Sequence, residues 1–142
     1  MELEHAEFTL SMPGGWVKAE GEEQLCFEWA EQKASLVISV MAAAVAEGKL
    51  EATGRAMMLA RRHAEEELTP GVQFDEVRAG GDSSLAQVLS GSTNPATGLV
   101  SRSLAMVTRK KIVSVWIGCE LGAERANALM NSVIAALQVK IP

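Results

Sequence analysis

A chain of 142 residues, 48% of them hydrophobic and 22% charged, is sized for one domain that buries roughly 70% of its unfolded surface and needs no disulfide or metal to hold it. Its net charge of −5 disfavours nucleic acid and anionic membrane surfaces, both of which are bound through Lys and Arg, and favours encounter with a basic partner. The longest apolar run, Val40 to Ala46, falls far short of the roughly 20 residues that cross a bilayer.

The N-terminus, Met1-Glu2-Leu3-Glu4-His5, is acidic where a secretory leader would be basic, which points to a cytoplasmic protein. Cys26 and Cys119 read as reduced core thiols. The first strand spans Glu7–Met12, with Phe8, Leu10 and Met12 alternating against polar neighbours; Pro13-Gly14-Gly15 ends it and Trp16 follows as an anchor. A second strand covers Gln24–Trp29, with Leu25, Phe27 and Trp29 on one face and Gln24, Cys26 and Glu28 on the other. Glu31-Gln32-Lys33 reads as a hairpin turn into Leu36–Ala42, which is apolar on both parities apart from Ser39 and so resembles a central strand.

After Gly48 the pattern turns helical over 49–68. Leu50, Thr53, Met57, Ala60, Ala64 and Leu68 share one stripe, and pairs four apart (Glu51 with Arg55, Arg61 with Glu65, Arg62 with Glu66) fall on the remaining surface. Gly54 costs such a helix about 1 kcal/mol and therefore suggests close packing on a sheet. Thr69-Pro70-Gly71 stops it. Strands follow near Val72–Arg78, Leu85–Ser90, Leu99–Thr108 and Ile112–Glu120, with turns at Gly80-Gly81-Asp82, Asn94 to Gly98 and Arg109-Lys110-Lys111. On the last strand Val113, Val115, Ile117 and Cys119 face one way, and Ile112, Ser114, Trp116 and Gly118 the other. A closing helix over 123–137 shows Ala126, Leu129, Met130, Val133, Ile134 and Leu137 at i, i+3, i+4, i+7 spacing.

This order predicts one α+β domain over residues 1–142, an antiparallel sheet of about six to seven strands flanked by two amphipathic helices. The opening strand that ends in Pro13 and is soon followed by Trp16, together with the apolar strand Leu36-Val37-Ile38-Ser39-Val40, the long middle helix, the late hairpin and the closing helix, resembles the PsbP-like family. That family takes in photosystem II extrinsic proteins, a Ran-binding nuclear import factor and small bacterial proteins, among them type VI secretion effector chaperones and immunity-type proteins. The resemblance implies a protein that binds other proteins and carries neither a catalytic centre nor a cofactor.

The residues agree with a non-enzyme. His5 reads as a solvated terminal residue and His63 as an exposed helix residue; no metal-binding or phosphate-binding motif and no Gly-x-Ser-x-Gly elbow occurs. The candidate recognition residues are Trp116, on the less apolar strand face; Met106 and Met41, as part of an adaptable apolar groove that would also draw on Met57 and Met58; and Glu22 and Glu23, in an acidic run with Glu20 that would meet a basic partner. A second acidic run is Glu65-Glu66-Glu67. The expected partner is a cognate protein, a basic toxin or secreted effector, making the chain an immunity protein or effector chaperone of a secretion system. The alternative is a carrier of a small molecule or lipid in an apolar pocket between sheet and helix.

Overall fold

The computed structural model of the chain describes residues 2–12, 14–19 and 25–141. The predicted roles of Pro13, Glu20, Glu22, Glu23 and Gln24 lie outside the described residues. Among the described residues, eleven strands and two long helices follow one another: β1 (Glu2–Glu4), β2 (Phe8–Ser11), β3 (Val17–Lys18), β4 (Leu25–Trp29), β5 (Ala34–Ala42), α1 (Leu50–Leu68), β6 (Gln73–Phe74), β7 (Arg78–Gly81), β8 (Ala86–Thr93), β9 (Val100–Val107), β10 (Lys111–Cys119), α2 (Ala123–Ala136) and β11 (Leu137–Val139). The architecture is α+β, as predicted.

Eight strands form one antiparallel sheet in the order β3-β4-β5-β10-β9-β8-β6, with β7 also pairing on β8. Two meanders, β3-β4-β5 and β8-β9-β10, are joined by the pairing of β5 with β10, which runs unbroken from Lys111 opposite Ala42 to Cys119 opposite Ala34. The strand buried along nearly its whole length is therefore β10, whereas β5 becomes exposed at Met41 and Ala42. The predicted first strand lies elsewhere: β2 is the middle of a separate three-stranded sheet, β1-β2-β11. Leu137, read as the last residue of the closing helix, instead begins the strand β11 that pairs with it.

The turns follow local chemistry. Lys33 closes the β4–β5 connection at φ 46 after a short 3-10 turn over Ala30–Gln32. Gly98, at φ 77, donates its N–H to the Asn94 carbonyl. Gly80 and Gly81 belong to β7 rather than to a turn, and the turn itself is held by Asp82, whose Oδ1 accepts from Ser84 N, Ser84 Oγ and Leu85 N. Those bonds lower the Asp82 pKa, the Ser84 hydroxyl contributing most.

One face of the large sheet is covered by α2 and the small sheet. Phe27, Leu36, Ile38, Leu104, Val113, Val115 and Ile117 meet Phe8, Leu10, Leu129, Met130 and Val133 there in the larger apolar cluster. At its margin Lys111, read as a turn residue, is buried; its Nζ reaches the Glu7 carboxylate, the Glu7 carbonyl at 3.0 Å and the Lys140 carbonyl, tying both sheets together. His5 is not a loose terminal residue either: it is half-buried, stacked on Phe8 at 4.8 Å, and its Nδ1 accepts the Glu7 N–H.

The opposite face carries α1, which packs mainly on β8 and β9. The residues it buries are Leu50, Gly54 and Met58, whereas Ala60, Ala64 and Leu68 of the predicted stripe are exposed. Gly54 does mark close packing, since a Cβ there would stand 2.5 Å from Val88 Cγ2. Of the predicted charge pairs, Glu51 with Arg55 forms at 3.8 Å, while Arg61, Arg62 and Glu65 turn toward the sheet.

Candidate protein-docking face

Residues directly opposite one another in a sheet share a face, so the register reads as rows under and beside α1. One row runs Glu28, Ser35, Gly118, Ser101, Ser92; the next Cys26, Val37, Trp116, Ser103, Ser90; then Ser39, Ser114, Ala105, Val88; and last Met41, Ile112, Val107, Ala86. The β8–β9 end of each row lies beneath α1. There the last two rows are apolar and receive Leu50, Gly54 and Met58, but the first two present hydroxyls. Ser92 and Ser101 bond each other at 2.6 Å, Ser92 donates to Glu65 at 3.2 Å, and Arg61 donates to Ser114 at 3.1 Å, with Ser39 2.7 Å beyond it. Partial burial on this seam draws the Arg61 pKa below the ordinary arginine value.

Among the described residues, neither α1 nor α2 packs over the other end of each row, on β5, β4 and β3. Met41 is 51% exposed and Val17, opposite Glu28, 68%. Cys26, Ser35, Val37 and Ser39 are half-buried, and Trp116 stands at the boundary between covered and open halves, half-buried itself. Its indole lies along the strand over Gly118: a Cβ on that glycine would sit 2.3 Å from the ring. Beside it Glu28, Ser35, Leu99, Trp116, Gly118 and Glu120 border a shallow depression of about 430 Å³. Glu28 accepts the Ser35 hydroxyl at 2.8 Å, and Glu28 and Glu120 form an exposed acidic margin, with Lys33 nearby. At the far end of the strip Arg109 and Lys110 are exposed in the β9–β10 turn.

Among the sequence candidates, Trp116 and Met41 come to this one face, about 13 Å apart along the strands at the usual strand rise. Met106 does not join them. It is 2% exposed within the larger cluster on the opposite face and presents nothing to a partner. Met58 is likewise core, and Met57 packs on the smaller cluster. Cys119 is a core thiol as expected, whereas Cys26 is half-buried on the open face. Trp16 is buried and meets Trp29 edge to face at 5.5 Å. Between the sheet and α1 there is, among the described residues, only a polar space of about 20 Å³, scarcely room for one water. The serines carry a signal of their own in the sequence: on each strand Ser35 and Ser39, Ser90 and Ser92, Ser101 and Ser103, and Ser114 keep to a single parity, and the register brings all of them to one face.

This arrangement of two helices on opposite faces of an antiparallel sheet, with a small sheet at one side, has structural counterparts. Cyanobacterial PsbP (CyanoP) from Synechocystis sp. PCC 6803 superposes with a TM-score of 0.67 at 12% identity, over 99% of this chain and 92% of its own. This chain has the PsbP-like fold. A mutant form of Mog1 follows at a TM-score of 0.61 and 13% identity, over 98% of this chain and 95% of its own. The Saccharomyces cerevisiae Ran-binding protein Mog1p gives 0.59 and 10%, over 98% and 94%. No protein-family model and no curated protein sequence matches this PsbP-like chain.

Proposed function

We propose that the chain is a non-catalytic protein-binding module and that its partner docks on the open half of the large sheet, with Trp116 as the anchor. The observation that carries this reading is the indole laid over Gly118 at the edge of an uncovered strip that also bears Val37, Met41 and Val17. Trp is among the residues most enriched at interface hot spots. That Mog1p, of the same fold, is a Ran-binding protein supports a protein partner in general.

The finer reading is a bacterial, cytoplasmic immunity protein or effector chaperone linked to type VI secretion, with a basic toxin or effector as its partner. It is supported by the net charge of −5 and by the acidic margin of Glu28 and Glu120 beside Trp116. The test is co-purification with the product of the adjacent gene, using the chain as it stands and Trp116→Ala. Binding that weakens about thirty-fold in the variant, corresponding to about 2 kcal/mol, supports the site. Equal binding by both proteins removes Trp116 from the interface, and failure to bind at micromolar concentration removes the neighbour as partner.

A further inference from the structure

The open corner on the other face of the sheet is built differently. Here α2 packs on β10, β9 and β2, leaving β7 and β8 uncovered beside it. The result is a cleft of about 500 Å³, within the size range of small-molecule sites. Its centre is Arg102, whose side chain is 15% exposed. Nε donates to Asn127 Oδ1 at 2.7 Å, and Nη1 donates to the Ser101 carbonyl at 2.8 Å and lies 3.3 Å from Asp75 Oδ2. Gly91 makes this possible: a Cβ there would stand 2.7 Å from Arg102 Nη1 and 2.8 Å from Asp75 Oδ2. Asp75 is itself fixed, its N–H donating to the Gly91 carbonyl and its own carbonyl accepting the Arg62 guanidinium. Three contacts thus hold the guanidinium in place, and among the described residues no acceptor meets its Nη2.

We propose that this cleft binds a small zwitterion carrying a carboxylate and an ammonium on a short aliphatic stem. The carboxylate accepts from Arg102 Nη2, which is held ready for it, and from Arg78 at the mouth. The ammonium donates to the Asp75 and Glu76 carboxylates, both on exposed residues. Leu89 and Met130 supply an apolar floor for the stem. Two cations and two anions around one space match a ligand with both charges better than a simple anion, which Asp75 and Glu76 repel.

The test is an NMR titration of the full chain with glycine, β-alanine, 4-aminobutyrate and 5-aminovalerate, and with acetate and methylammonium as single-charge probes. The expected result is saturable shifts at Gly91, Arg102 and Asn127 from at least one zwitterion, bound about ten-fold or more tightly than either single-charge probe. Arg78→Gln, at an exposed side chain, weakens that binding about ten-fold while leaving the spectrum of the folded chain otherwise intact. Gly91→Ala displaces the Arg102–Asp75 pair and abolishes it; if that variant fails to fold, Arg78→Gln decides. Absence of saturation by every zwitterion on the order of 10 mM, equal affinity for acetate, or shifts confined to residues outside the cleft would each overturn the proposal.

Discussion

The two faces of the large sheet are covered by different means. Under α2 and the small sheet, apolar side chains interdigitate continuously from Phe8 to Val133, with Lys111 and Glu7 closing the margin. Under α1 the apolar contact is confined to the helix's first half, around Val88 and Val107, and the second half rests on serine hydroxyls through Arg61, Arg62 and Glu65. Burial of apolar area dominates stability, while hydrogen bonds exchanged with water contribute only about 1 kcal/mol each. The contrast therefore makes the α2 face the stable one and the α1 face the adjustable one.

The same truncation on the two faces tests this directly. Val115 and Val88 are both fully buried, the first in the larger cluster and the second under Gly54 of α1. Val115→Ala is expected to cost about 2–3 kcal/mol, because its surroundings are locked on all sides. Val88→Ala is expected to cost about 1–2 kcal/mol, because α1 can settle toward the sheet over the space left. Urea midpoints at constant slope measure both, and equal losses would erase the distinction between the faces.

A smaller effect sharpens it. Gly54→Ala gains roughly 1 kcal/mol of helix propensity but drives a methyl to within 2.5 Å of Val88 Cγ2. Overpacking costs about 1–3 kcal/mol, so the net expectation is a loss of about 1 kcal/mol. Combined with Val88→Ala, the same change should become neutral or stabilising, since the atom it strikes is gone. Additive losses in the double-mutant cycle would show that Gly54 matters for reasons other than its contact with Val88.

These contrasts also decide what could be read from sequence. The α2 stripe of Ala126, Leu129, Met130 and Val133 was legible because an apolar partner demands apolar spacing. The α1 stripe misleads for the converse reason: the helix face that meets hydroxyl-bearing strands is itself polar, so spacing alone puts Ala60, Ala64 and Leu68 on the covered side and leaves Arg61 and Glu65 outside it. Leu137 continued a helical period that the chain abandons to pair with β2, a partner more than a hundred residues away. Lys111 looked like a turn residue because its acceptors, Glu7 and the Lys140 carbonyl, come from both ends of the chain. Of the candidate residues, the position of Trp116 on the α1 side of the sheet follows from strand parity, whereas Met41, read only as part of a methionine groove, reaches the same face through the β5–β10 register. Met106 was misplaced because its own strand faces a second apolar layer, which parity alone does not reveal.

The smallest expected effect concerns the margin of the α2 face. The hydrogen bond from Lys111, with a lesser contribution from its charge, holds the Glu7 carboxyl below its usual range, outweighing partial desolvation. A carboxyl whose folded pKa is depressed contributes stability that is present above its unfolded pKa of about 4.5 and is lost as pH falls through the folded value. Melting temperature should therefore fall more steeply for the unaltered chain than for Glu7→Gln as pH drops below that point, and the two should converge once the carboxyl is protonated in both states. Because Lys111 is buried while Glu7 is only half-buried, the clasp should respond little to added salt at the lysine's two carbonyl contacts and more at its carboxylate contact. Parallel acid profiles for the two proteins would mean that the carboxylate contact adds nothing to the two carbonyl contacts and the apolar packing that join the small sheet to the large one.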